Sequence, residues 1–425
     1  INAIELMPIN EFEGNLSWGY NPNFYFAPDK YYGPKNTVKE FIDVCHSQGF
    51  AVILDVVYNH SFGTSPYVKL YWDAQNNRPA ANSPFYNPIP KHDFNVGYDM
   101  NHESQATKSY ISRAMKFWLE EYRVDGYRLD LSKGFTQTNT LGNPGAMAQY
   151  DLSRINILKQ YADSVWSVNP DAYFICEHFA DNNEEKELSN YGLMLWGNSN
   201  YNYNEATMGW TSNSNFEWIS YQKRGWNDPH VMGYMESHDE ERLMAKNINY
   251  GNSSGNYDIQ DTTTALQRIE LAASFFFTIP GPKMIWQFGE LGYDYWINYP
   301  GIIGEGDHRT DQKPIKWNYQ NDYRRKKLYN VFKSLIQLKR EYEVFRTTEF
   351  SLSLSGAVKK IQLNHNSMNV TILGNFGVTA GTINPTFQHT GMWYNYFIGD
   401  SISVTNVSDN ISLEPGEYRI YTDVK

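Results

Sequence analysis

From Ile1 to about Tyr342, the chain alternates between short apolar runs and stretches in which apolar residues recur with the period of a helix. Runs such as "FAVILDVV" and "AYFICE" are almost wholly apolar, which is typical of parallel strands covered on both faces. The stretch 37–48 instead has apolar side chains at i, i+3, i+4 and i+7, which predicts a helix capped by Thr37 and ended by Gly49.

Repetition of these two patterns predicts an α/β fold. Strands predicted from the sequence are the opening run "NAIELMPI", 50–57, 124–131, 172–177, a less clear segment "YGLMLWGN", 231–239 and 283–290. Predicted helices are 37–48, 104–122, 151–168, a weak one near 214–222, 261–278 and 321–342. This alternation implies parallel strands joined by right-handed crossovers. Alternation alone fits an open doubly wound sheet as well, but the helix lengths and the total favour a (β/α)8 TIM barrel.

Seven strands are clear where a closed barrel needs eight, so we expect the first barrel strand to be missing from this chain, before Ile1. The stretch 61–103 is rich in Asn, Pro, Tyr and Gly and shows no helical repeat. We predict that this stretch forms a short inserted subdomain after barrel strand 3, where the missing strand counts as strand 1. Residues 1–344 would then be the catalytic barrel.

After about Phe345 the pattern changes to short alternating segments separated by turns that contain Gly, Asn and Asp. Segments such as "KKIQLNHN", "MNVTILGNF" and "GEYRIYTD" are typical of strands with one buried face. Residues 345–425 are therefore predicted to form a C-terminal all-β sandwich domain.

Composition excludes several classes of protein. With a net charge of -11, the chain lacks the clustered Lys and Arg that nucleic-acid binding needs, so no nucleic-acid partner is expected. The longest apolar run is broken by Pro280, Gly281 and Pro282, so no transmembrane segment is predicted. Aromatic residues make up 16% of the chain, which mildly favours a carbohydrate ligand. Cys45 and Cys176 are expected to be buried free thiols.

The strand in "YRVDGYRLDLSKGF" carries two charged residues on one face. Arg128 and Asp130 are two residues apart, and side chains two apart in a strand point the same way. In a (β/α)8 barrel, reactive groups project from the carboxyl ends of the strands. Two further strands deliver acids to that rim, Glu177 after "AYFIC" and Asp239 near the end of "VMGYMESHD". A single acid at a strand end is more often a cap or surface group, but the whole set predicts an active site.

These motifs resemble those of the α-amylase family of glycoside hydrolases, in the same order and on the expected strands. The four main matches are "DVVYNH", "GYRLDLSK", "FICEH" and "ESHDEE", and supporting matches are "GYNPNFYFAPDKYYG", "FNVGYDMNHES" and "GPKMIWQFGELG". The last main motif departs from the commoner family pattern, because Ser237 stands where Asn is usual before the His.

The resemblance implies roles for individual residues. Asp130 matches the nucleophile, Glu177 the general acid/base and Asp239 the third carboxylate, which binds sugar hydroxyls. A retaining glycosidase needs an ionised nucleophile beside a protonated acid, and a neighbouring guanidinium lowers a carboxyl pKa, so Arg128 is expected to orient Asp130 and hold its charge. Substrate-binding positions implied by the family, besides Arg128, are Tyr20, His60, Lys133 and His238. Asp55 and Glu290 match positions that are mainly structural.

No cofactor is expected to be required for the chemistry, although the family often binds a structural Ca²⁺ beside the inserted subdomain. Asn59 matches one usual metal ligand. Because Ca²⁺ needs six to eight oxygen ligands, one Asn alone does not establish the site. Asp73 and Asp93 in the insertion are further candidates without a clear motif.

The function implied is a retaining α-glycoside hydrolase that cleaves α-1,4-glucosidic bonds in starch-like glucans or maltooligosaccharides by double displacement. The partner is therefore an α-glucan substrate. Two alternatives stay open: a glucan-branching or other transglycosylating enzyme with the same three acids, and a non-catalytic glucan-binding homologue. The compartment is not fixed by the sequence, and a secreted or periplasmic setting suits polymer digestion.

Overall fold

The computed structural model describes all 425 residues, which fold into two compact units. Unit 1 consists of residues 1–196 and 224–230, and unit 2 consists of residues 197–223 and 231–425. None of the helices combines the length and the apolar character that crossing a membrane requires.

Unit 1 is built on parallel strands that follow one another in chain order. They are β1 (Ala3–Leu6), β2 (Ala51–Val56), β3 (Gly126–Leu129), β4 (Tyr173–Cys176) and the first residues of β5 (Met194–Asn198). Each strand pairs in parallel with the next. The helices between them are Lys35–Ser47, Gln105–Glu121, Leu152–Trp166 and Asn182–Tyr191. Because the strands are parallel, their carboxyl ends meet at one edge of the sheet.

An apolar face and a capping side chain explain two of the helices of unit 1. Helix Gln105–Glu121 buries Ile111, Met115 and Trp118, and helix Leu152–Trp166 begins where the Asp151 side chain accepts hydrogen bonds from two backbone N–H groups. The insertion after β2 contains the five-residue helix Pro66–Leu70 and small antiparallel pairs such as Trp72–Asp73 with Arg78–Pro79.

Unit 2 contains the parallel strands β6 (Val231–Tyr234) and β7 (Lys283–Met284), which pair with each other. Its helices are Asn200–Met208, Leu243–Tyr250, Thr262–Thr278 and Tyr323–Glu341. The C-terminal region is all β, with a six-stranded antiparallel sheet and a two-stranded sheet of Gly381–Ile383 with Ile411–Leu413. In spatial order the six strands are Phe350–Ser353, Val358–Leu363, Val370–Asn375, Tyr418–Thr422, Gly391–Asn395 and Ser401–Val404.

The count of seven parallel strands and the all-β character of the C-terminal region are confirmed. Cys45 and Cys176 are buried free thiols, also as predicted. The boundary at residue 345 as a division between domains stays a prediction, as does an eighth barrel strand before Ile1.

Several local predictions were wrong. The strand predicted at 283–290 ends at Met284, and Phe288 and Gly292 adopt left-handed backbone conformations that end extended structure. Where the weak helix near 214–222 was predicted, the structure has one 3₁₀ turn at Glu217–Ile219. Helix Asn200–Met208 was missed because it carries no apolar stripe. Helix Lys35–Ser47 starts two residues before Thr37, so that side chain is not its cap.

Candidate active site

The Arg128 guanidinium is the centre of a cluster of charges at the carboxyl ends of β2, β3 and β4. Its side chain is wholly buried, and Nη1 donates hydrogen bonds to both carboxylate oxygens of Asp55 at 2.9 Å. The same Nη1 donates to Asp130 Oδ1 at 3.0 Å, and Nη2 forms an ion pair with Glu177 Oε2 at 2.9 Å. One buried cation therefore contacts three carboxyl groups from three strands.

The strand register explains why these groups meet. Asp55 in β2 is directly opposite Arg128 in β3, and Ile175 in β4 is opposite Arg128 on the other side. Asp130 and Glu177 each follow the last residue of their strand, and each donates a backbone hydrogen bond to the neighbouring strand. Both side chains consequently emerge at the same edge of the sheet.

The backbone after Asp130 turns towards Glu177. Leu131 adopts a left-handed conformation with φ of 45°, and its N–H donates to Glu177 Oε2 at 3.0 Å. The Ser132 hydroxyl donates to the Glu177 carbonyl at 2.8 Å. Glu177 is thus fixed by the loop that carries Asp130, and 15% and 17% of the Asp130 and Glu177 side chains remain exposed. Both carboxyl groups are accessible to a ligand.

The electrostatics of Asp130 differ from the sequence-based expectation. Burial and the charge of Glu177 raise the pKa of Asp130 well above its usual range, and Arg128 only partly opposes them. Arg128 was expected to outweigh these effects and keep the pKa of Asp130 low. However, two buried carboxylates close to one guanidinium cannot both ionise at little cost. In the free protein, Asp130 therefore binds a proton more readily than an ordinary aspartate does.

Three residues around Arg128 were not assigned to the site from the sequence. Asp55, which was interpreted as structural, accepts hydrogen bonds from Arg128 and from the Tyr20 hydroxyl at 2.6 Å. Trp196 in β5 stacks on the guanidinium, with Cζ 3.9 Å from the ring centre. Burial raises the pKa of Glu5 in β1 to about 8, with Asp55 adding to the effect and Arg128 opposing it. The only sequence signal for Asp55, Trp196 and Glu5 was a charged or aromatic residue within an otherwise apolar strand.

Tyr20 and His60, which were predicted to bind sugar, lie next to this cluster. The Tyr20 ring centre is 6.0 Å from Arg128 Cζ, and the His60 Nε2 is 2.9 Å from the Tyr20 carbonyl oxygen. His60 is almost wholly buried, and burial lowers its pKa to about 4, so the imidazole is neutral at physiological pH. Sugar binding by these residues stays a prediction.

Lys133 lies one turn beyond Asp130 in the same loop. Its ammonium group is 5.2 Å from the centre of the Phe94 ring, and burial lowers its pKa. The side chain is only half-buried. Lys133 is thus less solvated than an ordinary surface lysine, which is what a residue that contacts a ligand requires.

The surroundings of Asn59 do not fit a calcium site. Its amide oxygen faces His92 Nε2 at 3.2 Å, and its amide nitrogen faces His60 Nδ1 at 3.2 Å. A Cβ atom on Gly134 would lie 2.0 Å from that oxygen, so the chain is closely packed there. No cluster of three or more His, Cys, Asp or Glu side chains in the chain could hold a metal, and imidazoles do not supply the oxygen shell that Ca²⁺ prefers. The metal role of Asn59, Asp73 and Asp93 stays a prediction without structural support.

Asp239 and His238 lie in unit 2, after β6. His238 Nε2 is 3.2 Å from Asp239 Oδ2, and Arg309 donates to Asp239 Oδ1. Burial would raise the pKa of Asp239, but the His238 imidazole and the Arg309 guanidinium together lower it below its usual range. Asp239 is thus ionised at neutral pH, and its approach to Asp130 and Glu177 stays a prediction.

Comparisons with known proteins agree with these motifs. The family model described as "Alpha amylase, catalytic domain" matches residues 91–329. A pullulanase of Bacillus subtilis (strain 168) is 31% identical over 159 residues, covering 31% of this chain and 20% of that protein. A cyclomaltodextrinase of Bacillus sp is 23% identical over 380 residues, covering 82% of this chain and 57% of that protein.

Among solved structures, an Anoxybacillus α-amylase has the same fold, with a TM-score of 0.73 at 18% identity. The likeness covers 99% of this chain and 86% of that chain. The regions matched in the two curated relatives amount to 20% and 57% of their lengths, so this chain corresponds to only a part of each of them.

Proposed function

Because the chain belongs to the α-amylase family, whose catalytic-domain model matches residues 91–329 of 425, we propose that it is a retaining glycoside hydrolase. Its proposed substrates are starch-like glucans or maltooligosaccharides, in which it cleaves α-1,4-glucosidic bonds. The observation that carries this proposal is the pair of accessible carboxyl groups, Asp130 and Glu177, held on the single Arg128 guanidinium.

In the first step, an Asp130 oxygen attacks the anomeric carbon while Glu177 gives its proton to the leaving glycosidic oxygen. This step forms a glycosyl ester on Asp130 and releases the shortened glucan. In the second step, Glu177 takes a proton from water, and the resulting nucleophile displaces Asp130 from the anomeric carbon. Two inversions give net retention, and both carboxyl groups return to their starting states.

The scheme requires a different protonation state at each of the two carboxyl groups. Attack requires an ionised Asp130 and a protonated Glu177. The hydrogen bond of 3.0 Å from Arg128 to Asp130 stabilises the ionised form of the nucleophile. We propose that the glycosidic oxygen of the bound substrate accepts a hydrogen bond from protonated Glu177, while Arg128 holds Asp130 in its ionised form.

The remaining predicted residues bind the sugar in this proposal. Asp239 accepts hydrogen bonds from sugar hydroxyls, and His238 and His60 also bind sugar hydroxyls. Tyr20 supplies an aromatic surface for the same sugar, and Lys133 binds on the leaving-group side. These assignments follow from the family resemblance and from the ionised state of Asp239.

The test is incubation with soluble starch and with maltoheptaose, followed by product chromatography with detection of the anomers. The wild-type protein should release reducing ends in the α configuration. Asp130→Asn and Glu177→Gln should abolish turnover while leaving the fold intact, and Asp171→Asn, at an exposed aspartate, is the matched control. Substantial hydrolysis by Asp130→Asn would refute the nucleophile assignment.

The same products separate the alternatives. New α-1,6 linkages or lengthened chains in place of reducing ends would assign the protein to branching or transglycosylation. Glucan binding without any new product would identify a non-catalytic homologue.

A further inference from the structure

The proposed third carboxylate, Asp239, has a partner that the sequence motifs did not indicate. Arg309 Nη2 donates to Asp239 Oδ1, while His238 Nε2 lies 3.2 Å from Oδ2. Arg309 is 70 residues further along the chain, in the loop after β7, and belongs to none of the motifs that resemble the family.

The loop that carries Arg309 is held in shape by its own hydrogen bonds. The Lys313 ammonium group donates to the carbonyl oxygens of His308, Arg309 and Asp311 at 2.9, 3.2 and 2.7 Å. The side chains of His308 and Asp311 pair at 2.7 Å. These bonds close a 3₁₀ turn at His308–Thr310, so the backbone at Arg309 is fixed before any ligand binds.

A carboxylate has two oxygens with about four lone-pair positions. His238 occupies one lone-pair position on Oδ2 of Asp239, and Arg309 occupies one on Oδ1. Each oxygen therefore keeps a position for a further donor. With 31% of the Asp239 side chain exposed, two adjacent hydroxyl groups of a sugar could reach those positions.

We propose that Arg309 is a positioning residue of the glucan site, which fixes the Asp239 carboxylate in the orientation that meets two adjacent sugar hydroxyls. The inference rests on the proposed function and extends it to a loop outside the recognised motifs. Arg309 lowers the pKa of Asp239 together with His238, so both oxygens are kept as acceptors. A lysine would keep the charge but not the planar guanidinium that fixes the orientation.

An ordinary surface ion pair is the competing explanation. The side chains of Arg309 and Asp239 are 49% and 31% exposed, and ion pairs as exposed as this one contribute little to stability. The two explanations differ in what removal of Arg309 changes. A surface pair affects stability slightly and catalysis not at all, whereas a positioning residue affects catalysis far more than stability.

The experiment compares Arg309→Gln and Arg309→Lys with the wild-type enzyme on maltoheptaose. Since hydrogen bonds to sugar hydroxyls strengthen in the transition state, we expect kcat to fall about tenfold or more in Arg309→Gln, with KM nearly unchanged. Arg309→Lys should recover part of the loss, and millimolar guanidinium added to Arg309→Gln should recover a further part. Arg324→Gln, which breaks an Arg–Asp pair of similar exposure with Asp322, is the matched control.

If the wild-type enzyme is active and Arg309→Gln has the same kcat, the proposed role of Arg309 is overturned and the proposed function stands. A wild-type protein that does not cleave maltoheptaose or starch would overturn both. Lys313→Met gives an independent check, because it loosens the turn without touching Asp239. It should lower kcat in the same direction as Arg309→Gln, and an unchanged kcat would contradict the proposal.

Discussion

Replacing Arg128 by methionine removes the cation that three carboxyl groups share and keeps a side chain of similar length. In the wild-type protein this guanidinium is wholly buried and makes two bonds of 2.9 Å to Asp55, whose side chain is only 3% exposed. Water cannot replace the lost partner at Asp55 without opening the strand ends. Asp130 and Glu177, at 15% and 17% exposure, can regain some hydration.

Breaking a buried ion pair by removing one partner costs about 3–5 kcal/mol. The Asp55 bonds fall in this class, whereas the carboxyl groups of Asp130 and Glu177 add less because they are partly exposed and water can hydrate them. We therefore expect Arg128→Met to lower the free energy of unfolding by about 3–5 kcal/mol at pH 7, a large part of the 5–15 kcal/mol typical of folded domains. Arg128→Lys keeps the charge without the two-pronged geometry and should lie between wild type and Arg128→Met.

The loss should depend on pH. The pKa of Asp130 is already raised in the wild-type protein and rises further without Arg128, so the folded variant keeps its proton to a higher pH than the folded wild type does. Its stability then falls as pH rises, and the gap to wild type should be larger at pH 7 than at pH 5. Urea unfolding followed by tryptophan fluorescence at both pH values measures this gap. A loss below about 1 kcal/mol at pH 7, or a gap that is equal at both pH values, would contradict the stabilising role of Arg128.

Two further predictions concern charge and metal. Burial raises the pKa of Glu5 from 4.5 to about 8, so the folded protein binds a proton that the unfolded chain releases, and stability falls as pH rises through this range. Glu5→Gln should flatten the fall in urea midpoint between pH 5 and pH 8, and a slope equal to that of wild type would contradict the assignment. Because Asn59 faces two imidazoles, we expect the same Tm in EDTA and in calcium chloride, and a Tm several degrees higher with calcium would show that a site forms.

The sequence predicted the elements whose signals are local. Apolar runs identified β2, β3 and β4, and the acids that follow β3 and β4 were found because a strand end is visible in the sequence itself. The two-residue spacing of Arg128 and Asp130 correctly placed them on one face, since the two side chains bond each other.

The partners of these residues could not be predicted, because they depend on strand register. Asp55 lies 73 residues before Arg128, and only the pairing of β2 with β3 sets them opposite each other. The direction of the Asp130 pKa shift depends on burial, which no motif reports. Helix Asn200–Met208 was missed because its buried face includes Asn200 and Asn204, which bond to each other, so no hydrophobic period marks it.

The most direct test of the account is to trap the covalent intermediate that it requires. A fluorinated maltosyl fluoride, which forms a slowly hydrolysed glycosyl ester, is incubated with the enzyme, and the labelled peptide is identified by mass spectrometry after digestion. We predict one label per chain, on Asp130, and no label on the Asp130→Asn variant. A label on Glu177 or Asp239, or continued turnover of the reagent without any ester on Asp130, would contradict the assignment of Asp130 as the nucleophile.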